Sequence, residues 1–188
     1  GYAMTTGVKN TIIGGLAGDA MNTANNNTAV GFDALTSEVK GGRNVAIGVS
    51  ALYTQSNSSD LDIYNVAVGY NAGYAMTTGV QNTLIGGLAG DALTTGTDNV
   101  AVGYLSLSTE DGHGRNVAVG KAALRNLDAG ADAYNVAVGF EAGTAVTTGV
   151  QNTIMGGLAG DALTTGNYNI AIGHTALSTE DTGHKSVA

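Results

Sequence analysis

Asn65-Val-Ala-Val-Gly (65–69), Asn82-Thr-Leu-Ile-Gly (82–86) and Asn99-Val-Ala-Val-Gly (99–103) are successive copies of one phrase. The phrase occurs ten times, at Asn10, Asn27, Asn44, Asn65, Asn82, Asn99, Asn116, Asn135, Asn152 and Asn169, and a cut-off copy begins at Ser186. Most steps are 17 residues; the step from Asn44 is four longer and that from Asn116 two longer. Such a period means a solenoid, in which each repeat is one coil stacked on the last.

With Asn as position zero, position one is β-branched in every copy and position three is always a large aliphatic side chain. Alternation puts both on one face of a strand, the geometry that stiff β-branched residues favour. Position four is always Gly, suited to a corner that needs positive φ. Position seven is Ala with one exception, Ser106, which predicts a tight interior. A coil of this length cannot hold a helix and its connections. It predicts an all-β parallel β-roll or β-helix of two or three short strands per coil, with coils about 4.8 Å apart and a rod on the order of 48 Å long. The absence of Pro fits a chain whose N–H groups are needed by ladders.

The Asn column predicts a ladder of side-chain amides that donate and accept coil over coil. A longer cycle of four coil types lies above the coil period: Gly73 to Ala92 repeats almost verbatim from Gly1 and from Gly143. The coils of Asn10, Asn82 and Asn152 carry Ile12, Leu84 and Ile154 at position two, where all other complete coils have Ala. The extra residues follow Leu52 and Leu124 and read as loops budding from one edge of the rod.

Position two is apolar as well, so the strand is apolar on both faces and wants cover on both. One face can line the coil. The other predicts copies of the same chain around a shared axis. The alternative leaves the small Ala column at the surface.

The formal net charge is −8, with no run of Lys or Arg, which argues against nucleic acid. There is no Cys, and no apolar run of transmembrane length, so no membrane insertion is expected. Residues 1–188 read as one repeat domain with partial coils at each end, a fragment of a longer protein.

No nucleophile–base or metal-ligand spacing is present, so the expectation is no enzyme, no cofactor and no metal. His113 and His184 are four coils apart and read as turn residues, although three copies of one His could meet on a trimer axis. Asp19, Asp91 and Asp161 in Gly-Gly-Leu-Ala-Gly-Asp-Ala faintly echo a calcium nonapeptide but read as turn residues. Loop acids Asp60, Asp62, Asp128 and Asp132 read as solvated. Thr-Thr-Gly at Thr77, Thr94, Thr147 and Thr164 is too interrupted for an ice-binding array. Position five carries Phe32, Tyr70, Tyr104 and Phe140, then His174. These corner aromatics either stack on receptor sugars or seal a coil end or interchain seam.

The phrases Asn27-Thr-Ala-Val-Gly-Phe-Asp-Ala-Leu and Asn169-Ile-Ala-Ile-Gly-His-Thr-Ala-Leu resemble repeats of bacteriophage and prophage tail fibres. Ser186-Val-Ala is similar to the Ser-Val-Ala-Ile-Gly repeats of trimeric autotransporter adhesin heads, whose coils are shorter. The resemblance spans the chain. It implies a homotrimer of left-handed β-rolls on a virion tail fibre or bacterial surface, although parallel crossovers generally favour the right hand. The expected role is a rigid shaft that supports or forms a host-receptor-binding region. A glycan-binding, lectin-like adhesin module and a polysaccharide-degrading tailspike are the alternatives.

Overall fold

The computed structural model describes residues 1–188 and contains no helix. Ten strands of three residues each form one parallel sheet in chain order: β1 Thr11–Ile13, β2 Thr28–Val30, β3 Val45–Ile47, β4 Val66–Val68, β5 Thr83–Ile85, β6 Val100–Val102, β7 Val117–Val119, β8 Val136–Val138, β9 Thr153–Met155 and β10 Ile170–Ile172. Register follows the phrase position for position; Thr83, Leu84 and Ile85 pair with Val100, Ala101 and Val102. The chain is therefore the expected stack of coils.

Each coil holds one strand, not two or three. Positions six and eight and the residue before each Asn adopt left-handed backbone in coil after coil. Lys9, Arg43, Gln81 and Arg115 before their Asn have φ of 60°, 64°, 60° and 64°. Left-handed residues repeated at such short intervals break regular strand while still pointing N–H and C=O along the rod. Of 108 backbone hydrogen bonds, 18 lie wholly within the strands; the other 90 extend the ladders past the strand ends and join turns of neighbouring coils. A non-Gly residue in this region costs about 1–2 kcal/mol. The inter-coil bonds on either side hold it there.

Burial settles which strand face lines the coil. Position two is buried: Ala29, Ala46, Ala67, Leu84, Ala101, Ala118, Ala137, Ile154 and Ala171 are all 0 % exposed. The Ala column at position seven is buried with it, and both belong to one core of 29 residues. The Ala column is thus the interior and not a tolerated surface stripe. Positions one and three face outward, half-buried or exposed.

Gly rows accommodate the larger side chains at position two. A Cβ on Gly73 would lie 2.8 Å from Leu84 and 2.9 Å from Leu52. A Cβ on Gly143 would lie 2.9 Å from Ile154 and 3.1 Å from Leu124. The four-coil cycle is thus a volume exchange: where one coil enlarges position two, position eight of that coil and of the coil before it shrinks to Gly.

Candidate functional site

The Asn column stands where the phrase places it, but its bonds differ from the expected amide-to-amide ladder. Each Asn Oδ1 accepts the backbone N–H of the next coil's Asn, as from Asn82 to Asn65 at 2.9 Å and from Asn99 to Asn82 at 3.0 Å. The amide Nδ2 donates to the carbonyl fourteen residues on, as from Asn82 to Gly96 at 2.8 Å and from Asn152 to Gly166 at 2.9 Å. Both bonds cross to the following coil, so each side chain clips two turns together. Direct amide contacts are secondary, as from Asn152 to Asn135 at 3.2 Å. The clip opens at the two coils that carry extra residues. Asn44 Nδ2 has no partner, and Asn116 Nδ2 turns to the carbonyl of Gly114 at 3.2 Å. The loops remove the carbonyl that the amide would otherwise reach.

Buried glutamates organise those loops. Position eleven holds Met21, Met76, Leu93, Leu127, Val146 and Leu163 in the core, and Glu38 and Glu110 occupy the same column at 0 % exposure. Glu38 Oε1 accepts the N–H groups of Val39 (3.0 Å), Lys40 (3.1 Å), Gly41 (2.7 Å) and Asn57 (3.1 Å). Its Oε2 accepts from Asn57 Nδ2 at 2.8 Å. Glu110 accepts from the His113 backbone and ring and, through Oε2, from Ala129 in the second loop. A carboxylate fits here because convergent N–H groups form an anion-binding nest. Glu110, Asp111 and His113 bring ligand-type atoms within 4.8 Å of one another, but Glu110 is already engaged by these bonds.

A second tie closes each loop from outside. Arg43 pairs with Asp62, donates to the Tyr64 hydroxyl and lies over the Tyr64 ring at 5.4 Å. Arg115 repeats this with Asp132 and Tyr134, at 5.5 Å from the ring, and also approaches Asp98 at 3.9 Å. Two of the loop acids read as solvated are therefore paired. Thr77 and Thr147 donate to the carbonyls of Thr94 and Thr164 in the next coil, at 3.0 and 3.2 Å. Their hydroxyls belong to the stack, not to a flat surface array. His184 Nδ1 accepts the Asn167 N–H at 3.0 Å.

Asp91 and Asp161 occupy equivalent turns, and each keeps one buried oxygen, Oδ1, without a hydrogen-bond partner. Desolvation raises the Asp91 pKa above its ordinary 3.8, partly offset by a backbone hydrogen bond. A raised carboxyl is a net cost once ionised. The cost is absent below 3.8, sets in as pH rises past that unfolded value, and is complete above the folded one. Asp91→Asn should therefore raise the melting temperature at pH 7 and leave it nearly unchanged at pH 3. Thermal melts at both values check this; a shift of equal size at both would refute it.

The aromatics at position five form an exposed column. Phe32, Tyr70, Tyr104 and Phe140 are 52 %, 60 %, 52 % and 49 % exposed. They recur at every second coil, about 10 Å apart at this stacking distance. Some rest on glycine: a Cβ on Gly15 would meet the Phe32 ring at 3.3 Å, and one on Gly87 the Tyr104 ring at 3.5 Å. Phe140 instead receives Lys121 Nζ at 5.0 Å from its centroid.

Neither a protein-family model, nor a curated protein, nor a solved structure matches this chain.

Proposed function

We propose that this chain is a non-enzymatic segment of an extracellular fibre, a rigid shaft built from three copies. The observation that carries the reading is the outward face of the sheet. Positions one and three line it from β1 to β10 with Val, Ile, Thr and Met, and a single chain leaves them half open. Ile13, Ile47, Ile85 and Ile172 are among the exposed residues. A strip about 48 Å by 10 Å, from the strand spacings, approaches 500 Å², within the roughly 300–600 Å² of the largest patch on a typical monomer, a patch that is often functional. Identical copies around one axis cover three such strips at once, with the polar column before each Asn as rim. The tail-fibre and adhesin resemblance supports three copies, on a virion or at a bacterial surface.

The test is mass in solution at micromolar concentration. Light scattering should give three times 18.6 kDa. Ile47→Lys with Ile85→Lys charges the face without touching the interior, and should give a folded monomer. A wild-type monomer rejects the assembly.

A second reading, direct glycan contact, is favoured by the aromatic column. All four rings are about half exposed, Phe32 and Tyr104 beside glycine, and the alternate-coil spacing suits a saccharide chain running along the rod. A glycan array with the Phe32→Ala/Tyr70→Ala/Tyr104→Ala chain separates a receptor-binding shaft from a pure spacer. The spacer gives no signal in either form.

A further inference from the structure

We infer that the concave surface beside the first loop binds a monoacidic sugar, a carboxylate on a polyhydroxylated ring of the hexuronate class. The depression has a volume of about 250 Å³. It is bounded by the turns before Asn10, Asn27 and Asn44 and by residues 60–62 of the loop. The chain carries only seven Lys and Arg against fifteen acids, yet Lys9, Lys40 and Arg43 all line this one site.

Their states of pairing differ. Arg43 is taken up by Asp62 and Tyr64. Asp60 accepts from the Thr23 hydroxyl at 3.0 Å. Lys9 and Lys40 take part in no ion pair, and Lys40 is only partly exposed. Asn25 Oδ1 is committed to the Val8 N–H at 2.8 Å, which leaves its Nδ2 available to a ligand. The site therefore offers two ammonium groups outside any ion pair and at least one free amide donor, with the Asp60 and Asp62 carboxylates as acceptors in the same lining.

That mixture selects a class. Ammonium groups attract an anion as point charges. A compact dianion such as hydrogen phosphate would bring its second negative charge up to Asp60 and Asp62, with a single hydroxyl to donate to them. A sugar acid puts its single charge against the lysines and its hydroxyls against the amide and the aspartates. The volume lies just below the roughly 300–1,000 Å³ of pockets that enclose drug-sized ligands, as suits one ring.

The internal repeat supplies a contrast on the same scaffold. One cycle later Lys9, Asn26 and Lys40 correspond to Gln81, Asp98 and Gly112, and Asp60 corresponds to Gly130. There those two cations are gone, and Asp98 adds a carboxylate beside Arg115. The loop tie through Arg and Tyr persists, so the basic character of the first depression is not needed to fold the loop.

The experiment is an NMR titration of the isotope-labelled chain with D-glucuronate, methyl glucoside and inorganic phosphate. Glucuronate should shift the amides of Lys9, Asn25, Asn26 and Lys40 with a Kd on the order of 1 mM. Glucoside and phosphate should each bind at least tenfold more weakly. Lys9→Gln with Lys40→Gln should weaken glucuronate at least tenfold, while Lys185→Gln changes nothing. A glucuronate-terminated oligosaccharide should bind at least as well as the free sugar, which tells a glycan end from a free metabolite. Three outcomes overturn the proposal: no shift at these residues, equal binding of glucuronate and either control, or unchanged binding by the double variant. Circular dichroism confirms that the variant is folded. The measurement reads binding whether the chain is one copy or three, so failure of the assembly would be seen separately.

Discussion

Gly86→Val should lower the melting temperature by about 10 °C or more, and should open the rod at its middle before its ends. Gly86 closes β5 with φ of +132°, and a Cβ there would lie 2.6 Å from both the carbonyl carbon and oxygen of Gly103 in the next coil. Two costs add. Holding a branched residue at that φ costs roughly 1–3 kcal/mol. Relieving the contact requires coils five and six to part, which stretches their ladder bonds, including that from the Gly103 N–H to the Ile85 carbonyl at 2.7 Å. At about 2–4 °C per kcal/mol for a chain of this size, a combined loss near 4 kcal/mol gives the stated shift. Gly173→Val separates the two costs. Its φ is +131°, yet a Cβ there meets nothing within 4 Å. It should show the backbone cost alone, about 1–3 kcal/mol. Equal melting temperatures for the two variants would mean that stacking places no demand on this row of glycines. Because each coil touches only its neighbours, hydrogen exchange in Gly86→Val should accelerate first around β5 and β6.

The coil, its register and its Gly corner were legible because every coil must obey the same constraint. One position in one copy says little, but Gly at ten equivalent places can only be a row. The inward face was not legible from alternation, since both faces are apolar. Size carries that information: Ala29 and Ala46 at position two match Ala34 and Ala51 at position seven, and both columns line the same narrow bore. The bonding of the Asn amides was hidden for a different reason. Their acceptors lie fourteen residues on, at Gly96 for Asn82, and which carbonyl arrives there depends on turn geometry that no residue type announces. The single strand per coil has the same origin, because ordinary residues such as Arg43 and Gln81 hold left-handed conformations only within the stack.

The loop sites were missed where a charge looked solvated. A Glu in a polar turn reads as surface, and Glu38 in Thr36-Ser-Glu-Val-Lys does so. Reading down the stack instead of along the chain would have found it, because six of the ten residues at position eleven, Met21, Met76 and Leu93 among them, are apolar core side chains. A carboxylate in an apolar column must be either a defect or a fixed anion. The exposed aromatics were found because Phe32, Tyr70, Tyr104 and Phe140 recur at one place, directly after the invariant Gly. The depression was not found, because its lysines come from different coils.

Glu38→Leu is the sharper test of that column, and should cost about 3–5 kcal/mol, the net of several buried donors left without their acceptor, at about 1–3 kcal/mol each, against the apolar gain. Leu matches Leu93 in shape at the same position and fills the core. It leaves the N–H groups of Val39, Lys40 and Gly41 and both nitrogens of Asn57 without their acceptor. An apolar gain near 2 kcal/mol does not offset several buried donors at about 1–3 kcal/mol each. The first loop must then swing out to hydrate them. Limited proteolysis should cut between residues 56 and 62, and the second loop, held by Glu110, should stay intact. Glu38→Gln keeps Oε1 as acceptor but turns Nε2 toward Asn57 Nδ2, donor against donor, so it should lose roughly half as much. Adding Asn57→Asp to Glu38→Gln restores a donor–acceptor pair and moves the charge across the contact. Recovery of most of the loss by this double exchange would show that the loop is held by the specific bond and not by volume. If Glu38→Leu melted at or above the wild-type temperature, the buried carboxylate would be a tolerated passenger, and the loop would owe its place to Arg43 and Tyr64 alone.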